Sequence, residues 1–239
     1  MFAYDAAIIE RFPGIRAAVI HTTGLSNGPS SPDLLAEYRA EQRAAIERLA
    51  ATPIADIPSI AAWRRVFSAF GVKPTQHRNA AESLLRRLDK QGDIPTISTL
   101  VDLGNLIAIR YALPVAVLDL AGIAGSTTVR FADGTERFTD LGSGEPVHPE
   151  PGEVVFVDAD GVASARRWCW RQSAQSATGT STVDALVTIE VHHGSAAGDA
   201  GLALTDFLQL LATSQPGSET TSFTLSPSNP STGSVPLED

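Results

Sequence analysis

The sequence predicts an α+β fold, with helices gathered in the first half of the chain and strands in the second. Between Ser31 and Pro114, apolar residues recur at the spacing of helices with one buried face. Between Val115 and His193 they come as short branched and aromatic runs, most of them separated by glycine-bearing turns, which is the pattern of strands. The composition, 43% hydrophobic and 19% charged, is that of an ordinary globular protein and excludes a mainly disordered chain.

The elements follow in order. Ile15 to Thr22 is rich in branched apolar residues and reads as a strand, and the turn-rich segment TGLSNGPSSP follows it. Ser31 before Pro32 marks a helix start, since proline suits the first helical position, and the periodic residues Leu34 to Leu49 carry that helix to about Ala51. A second helix runs from Ser59 to Phe70, with Trp63, Val66, Phe67 and Phe70 on one face and Gly71 at its end. Asn79 with Glu82 opens a third, which stops at Gly92. Thr99 with Asp102 opens a fourth, and its apolar residues go nearly all round the axis, so it should be largely buried until Pro114 ends it. The segments VAVLDL, TTVRF, EVVFVD, ASARRWCW and ALVTIEVHH read as strands, and a last helix spans about Asp199 to Thr213. From Ser214 the chain turns Ser-, Thr- and Pro-rich with little to bury, so one domain is expected over residues 1–213 and a flexible tail over 214–239.

Charge and cysteine content narrow the function. The 18 basic residues against 27 acidic ones, a net charge of -9, argue against broad non-specific binding of nucleic acid. Locally the balance reverses. Between Ala61 and Gly92, Arg64, Arg65, Lys73, Arg78, Arg86, Arg87 and Lys90 face only Glu82 and Asp89, with His77 among them. That stretch is either a solvated helix face or a phosphate-contacting surface. The single cysteine, Cys169, excludes an intramolecular disulfide and a multi-thiolate zinc site, and its place between two tryptophans suits a buried small hydrophobe. The N-terminal residues lack a basic start followed by a long apolar run, and no run approaches the roughly 20 apolar residues that cross a bilayer. A cytoplasmic protein without membrane contact is the expectation. No Walker loop, GxGxxG, HExxH or GxSxG motif is present, and no cofactor or metal is called for.

Three features exceed what a plain core needs. Asn105 lies in the helix expected to be buried, where an unpaired amide costs about 1–3 kcal/mol, so it must bond either to the fold or to a ligand. In ALVTIEVHH, alternation puts Thr188, Glu190 and His192 on one face, which is either solvent-facing or the wall of a pocket. In RRWCWRQ, alternation groups Arg166, Trp168, Trp170 and Gln172 opposite Arg167, Cys169 and Arg171, either as core or as a stacking surface for bases.

Several segments, taken together and in order, resemble a known family. IPTISTLVDLGNLIAIRYALPVAVLDL supplies Val101, Asp102, Asn105, Pro114 and Asp119 at matching places; TTVRFADGTERFTDLGS, EVVFVDADGVASARRWCWRQS and DALVTIEV follow. From about Phe12 to Thr213 the chain resembles the tRNA-binding and editing B3/B4 domain of the phenylalanyl-tRNA synthetase beta subunit, in a free-standing form. The resemblance implies a three-layer domain with a β-sandwich core and flanking helices. It implies hydrolysis of the ester of a wrong amino acid on tRNA, with Asn105 and Glu190 as catalytic residues. Thr188, His192, Arg171 and Trp168 would then contact substrate, and Arg64, Arg65, Arg78, Arg86, Arg87 and Lys90 would contact the RNA. The pattern also departs from the family's. The Thr before the Asn is Gly104, the pocket His is Ala116, and a Gly-rich strand is replaced by Arg166 to Trp170. Specificity for tyrosine therefore does not carry over, and the chain lacks the motifs for charging tRNA. The alternatives are a non-catalytic module that binds RNA, an amino-acid-like ligand or a protein, and hydrolysis of a small molecule.

Overall fold

The computed structural model of the chain describes residues 1–233. In chain order the elements are β1 (Phe2–Tyr4), α1 (Ala6–Arg11), β2 (Arg16–Thr23), α2 (Pro32–Ala51), α3 (Pro58–Ala69), α4 (Ala80–Gln91), α5 (Thr99–Tyr111), β3 (Val115–Asp119), β4 (Thr127–Phe131), β5 (Val154–Val157), β6 (Ala163–Arg166), β7 (Arg171–Gln172), β8 (Ala185–Val191), α6 (Ala196–Ser214) and β9 (Glu219–Leu225). The helix signals read from the sequence have clear causes. The Ser31 side chain caps α2 by accepting from Leu34 N, and Asn79 caps α4 by accepting from Glu82 N. Gly92 closes α4 in the left-handed region at φ 79°, where a residue without Cβ is unstrained.

Two sheets form, in the orders β3-β8-β2-β9 and β1-β4-β5-β6-β7. Strand alternation divides the first sheet between two cores. Ala18 and Ile20 of β2, with Ala185, Val187, Ile189 and Val191 of β8, pack against α2, α4, α5 and α6. Ala17 and Val19 of β2, with Leu186 of β8, face Phe2, Val129, Val154 and Phe156 of the second sheet. The result is helices on a sheet on a sheet, the three layers expected. Helix α5 is buried on most sides, from Leu100 to Ile109.

Two expectations are corrected. Glu219–Leu225, placed in a flexible tail, is strand β9, paired in antiparallel register with β2 from Ala17↔Leu225 to Thr23↔Glu219. Its threonines suit a pleated edge and its Leu225 is buried, while the polar composition of the surrounding segment masks this short strand. Beyond it, Pro230 O accepts from Tyr4 N at 2.9 Å and Thr232 N donates to Phe2 O at 2.9 Å, so the chain returns to β1. The rest of the expected tail, residues 234–239, lies outside the described residues. Second, ASARRWCW is not one strand. It ends as β6 at Arg166, and Arg167 and Trp168 take left-handed backbone at φ 45° and 63°. The alternating faces read from RRWCWRQ therefore do not exist. Of the two alternatives for the Glu190 face of β8, solvent is excluded, because the second sheet covers it and every residue of β8 is buried.

Candidate functional site

Glu190 projects from β8 into the space between the sheets. Its Oε1 accepts from Tyr4 Oη at 2.5 Å and from Trp168 Nε1 at 2.9 Å. Its Oε2 has no hydrogen-bond partner among the described residues. Burial pushes the carboxyl up to about 7, against the opposing effect of the two bonds. The Tyr4 hydroxyl is pushed up as well, by burial and then by Glu190.

Trp168 is the other fixed part. A left-handed backbone costs a residue with Cβ about 1–2 kcal/mol, and here two consecutive residues adopt it. What this achieves is the burial of an indole that then contacts aromatic rings on three sides. Phe12 lies 5.1 Å away, Trp63 5.3 Å and His192 5.1 Å, all edge-on. The backbone is pinned too, since Trp168 N donates to Val154 O at 2.6 Å.

Beside Glu190 lies a cavity of about 70 Å³, walled by Pro114, Ala116, Phe156, Ala165 and Trp168 and bordered by Trp170, Arg171 and the first residue of α4, Ala80. Asn105 lines a different cavity of about 350 Å³, together with Val101, Gly104, Leu141 and Thr178. Val115 and Gln172 line both, so they form the wall between them. Gln172 is held there, its Nε2 donating to Val117 O at 2.9 Å and Ser176 O at 2.8 Å. Asn105 and Glu190 thus line adjoining cavities that share Val115 and Gln172. Asn105 is partly rather than fully buried, where α5 borders this opening, with the Tyr38 side chain as its neighbour.

The expected substrate contacts separate as well. Thr188 is buried opposite Ala116 and Val19 and lines neither cavity. His192 packs 4.6 Å from Trp63, its Nε2 buried without a partner, and burial lowers it to about 3, so the ring is neutral. Arg171 is exposed, pairs with Asp140 at 2.6 Å and stacks 4.8 Å from the Trp170 ring. Arg167 lies 4.7 Å from the same ring and pairs with Glu153 at 3.0 Å.

The basic stretch of α3 and α4 is partly an internal ion network. Buried Glu82 draws Arg64 to 2.8 Å, Arg86 to 2.9 Å and Arg78 to 3.7 Å. Arg65, Arg87 and Lys90 are exposed on the same two helices, with Arg87 Nε donating to Asp93 O at 3.3 Å. Two contacts join this surface to the cavity's rim. Ala80 N donates to Cys169 O at 2.9 Å, and His77 meets the Trp170 ring edge-on at 4.7 Å. Arg167 Nη1 lies 3.2 Å from His77 Nδ1, and burial and then that guanidinium lower the His77 pKa. Tyr4 is the site residue that sequence reasoning missed. Its only local signal is the three-residue alternation of Phe2-Ala3-Tyr4.

The family model described as the B3/4 domain matches residues 62–202, more than half of the chain. The chain belongs to the B3/4 domain family. The matched span holds Asn105, Ala116, Trp168 and Glu190, whereas Tyr4, which holds the Glu190 carboxylate, precedes it. This B3/4 protein is also similar to a solved N-terminal fragment of the phenylalanyl-tRNA synthetase beta subunit from Pyrococcus horikoshii, at 12% identity and a TM-score of 0.47. That match covers 94% of this chain and 53% of the other, so the chain spans about half the length of the structure it matches. No curated protein matches the chain. Among the described residues, no three His, Cys, Asp or Glu side chains are gathered to hold a metal, and no helix is long and apolar enough to cross a membrane.

Proposed function

We propose that this B3/4 protein binds aminoacyl-tRNA and hydrolyses the ester of a wrongly attached amino acid. The observation that carries the reading is Glu190: a carboxyl held near neutrality, with one oxygen fixed by Tyr4 and Trp168, in a cavity bordered by arginine and tryptophan. In the reaction Glu190 takes a proton from water, whose oxygen attacks the acyl carbon. The carbonyl reforms as the bond to the ribose oxygen breaks, and the proton passes to that oxygen. The products are a free amino acid and uncharged tRNA. Trp168 and Tyr4 keep the carboxylate aimed. Arg171 and Arg167 beside Trp170 suit phosphate and base contacts, and Arg65, Arg87 and Lys90 suit the phosphates further away. Asn105 can touch only a part of the ligand that reaches past Gln172 into the neighbouring cavity.

The test is ester loss from a panel of mischarged tRNAs, with Glu190→Gln as control. At least one amino acid should be released by the natural protein and not by the variant. Release from none overturns the reading.

One specific feature favours a second reading, a binding module without catalysis. Ala116 stands at the cavity wall and offers no second titratable group there. In that case tRNA shifts in a gel, weakening steeply with salt, while every ester survives.

A further inference from the structure

Resting on the hydrolytic reading, we infer that Trp168 is a specificity-determining residue that limits the ester to amino acids with the smallest side chains: glycine, alanine and serine. Cavity volume sets this limit. A cavity of about 150 Å³ accommodates a benzene ring, and a single water needs about 10–15 Å³ on the same scale. The space beside Glu190 is about 70 Å³. That admits a methyl or hydroxymethyl group and excludes a phenyl or phenol ring.

The walls do not yield easily. Trp168 is held by its bond to Glu190, by its backbone bond to Val154 O, and by edge contacts with Phe12, Trp63 and His192. Phe156 opposite is fully buried and packs edge-on against Phe2 at 5.4 Å. The remaining space exists because Ala116 and Ala165 have short side chains. Gln172, tied to two carbonyls, closes the way to the larger cavity of Asn105.

The experiment measures kcat/KM for glycyl-, alanyl- and seryl-tRNA against leucyl-, phenylalanyl- and tyrosyl-tRNA. A single surplus methylene in a tight pocket discriminates by roughly 10- to 200-fold, so a preference of at least about 100-fold for the small set is expected. Two variants locate the cause. Trp168→Ala should narrow the preference by at least about 10-fold, and Ala116→Ile, whose branched side chain suits β3 and fills the cavity, should lower alanyl-tRNA turnover by a similar factor while tRNA still binds. If Trp168→Ala fails to fold, the Ala116→Ile result decides. Comparable rates for large and small esters overturn the inference while leaving the hydrolytic reading intact, because the side chain then occupies the Asn105 cavity. Unchanged alanyl-tRNA turnover in Ala116→Ile overturns it as well. Hydrolysis of no ester overturns both.

Discussion

Replacing Glu190 by Gln removes a titrating charge while keeping an acceptor for Tyr4 and Trp168, so its effect on stability can be worked out across pH. The carboxyl ordinarily ionises near 4.5 and in the fold is raised to about 7. A folded pKa above the unfolded one means that the folded state keeps its proton longer. Below about 4.5 both states are protonated and the natural protein bears no penalty. As pH rises from about 4.5 to about 7 the unfolded chain ionises first, and stability falls. Above about 7 the penalty levels off at about 3 kcal/mol, since each unit of pKa is worth about 1.4 kcal/mol. Glu190→Gln escapes that loss. It should equal the natural protein near pH 4 and exceed it by about 3 kcal/mol at pH 8, which is roughly 6–12 °C in Tm for a chain of this size. Urea or thermal unfolding at intervals from pH 4 to 8 measures it. Parallel curves for the two proteins would refute the reasoning, because the carboxyl would then ionise as it does in water.

Other outcomes follow from equally local causes. His192, lowered to about 3 in the fold, resists the proton that the unfolded chain binds below about 6.5, so stability is lost as pH falls from there. His192→Phe, which leaves no unpartnered Nε2, should flatten that acid limb, read from urea midpoints between pH 7 and 4. Gly122→Ala should destabilise by about 1–3 kcal/mol in thermal unfolding, because its Cβ would fall 1.7 Å from Gln175 O, a backbone atom that cannot step aside. Glu82→Gln should lower stability by about 1–3 kcal/mol, since a buried acceptor of charged donors loses its charge. The same change frees Arg64, Arg78 and Arg86, so tRNA should bind more tightly, with a steeper salt dependence, in a gel-shift series. Arg171→Ala should weaken tRNA binding and reduce its salt slope by about one.

The helices were legible because their signals are local. Ser31 before Pro32, Asn79 before Glu82, and Gly92 each specify an end without help from the rest of the chain. The same holds for β8, where alternation correctly set Glu190 apart from Val187 and Ile189. What alternation could not reveal is what covers the Glu190 face, since that depends on a second sheet assembled from Phe2 to Gln172. Strand β9 was hidden for a related reason. Its threonines gain little alone and become a strand because β2 offers an unpaired edge. The turn at Arg167 and Trp168 is the clearest failure of pattern reading: both residues disfavour left-handed backbone, and tertiary burial of the indole overrides that preference. That Asn105 and Glu190 line different, adjoining cavities is equally beyond local pattern, because Gln172, which lines both, is placed by contacts distant in sequence.

The most direct measurement is the enzyme-dependent rate of ester loss from alanyl-tRNA between pH 5.5 and 8.5, after subtracting spontaneous hydrolysis. A proton-accepting Glu190 predicts a rate that climbs to a plateau with its midpoint near 7, and no such rate in Glu190→Gln. An identical profile in the variant, or no enzyme-dependent loss at any pH, would contradict the account.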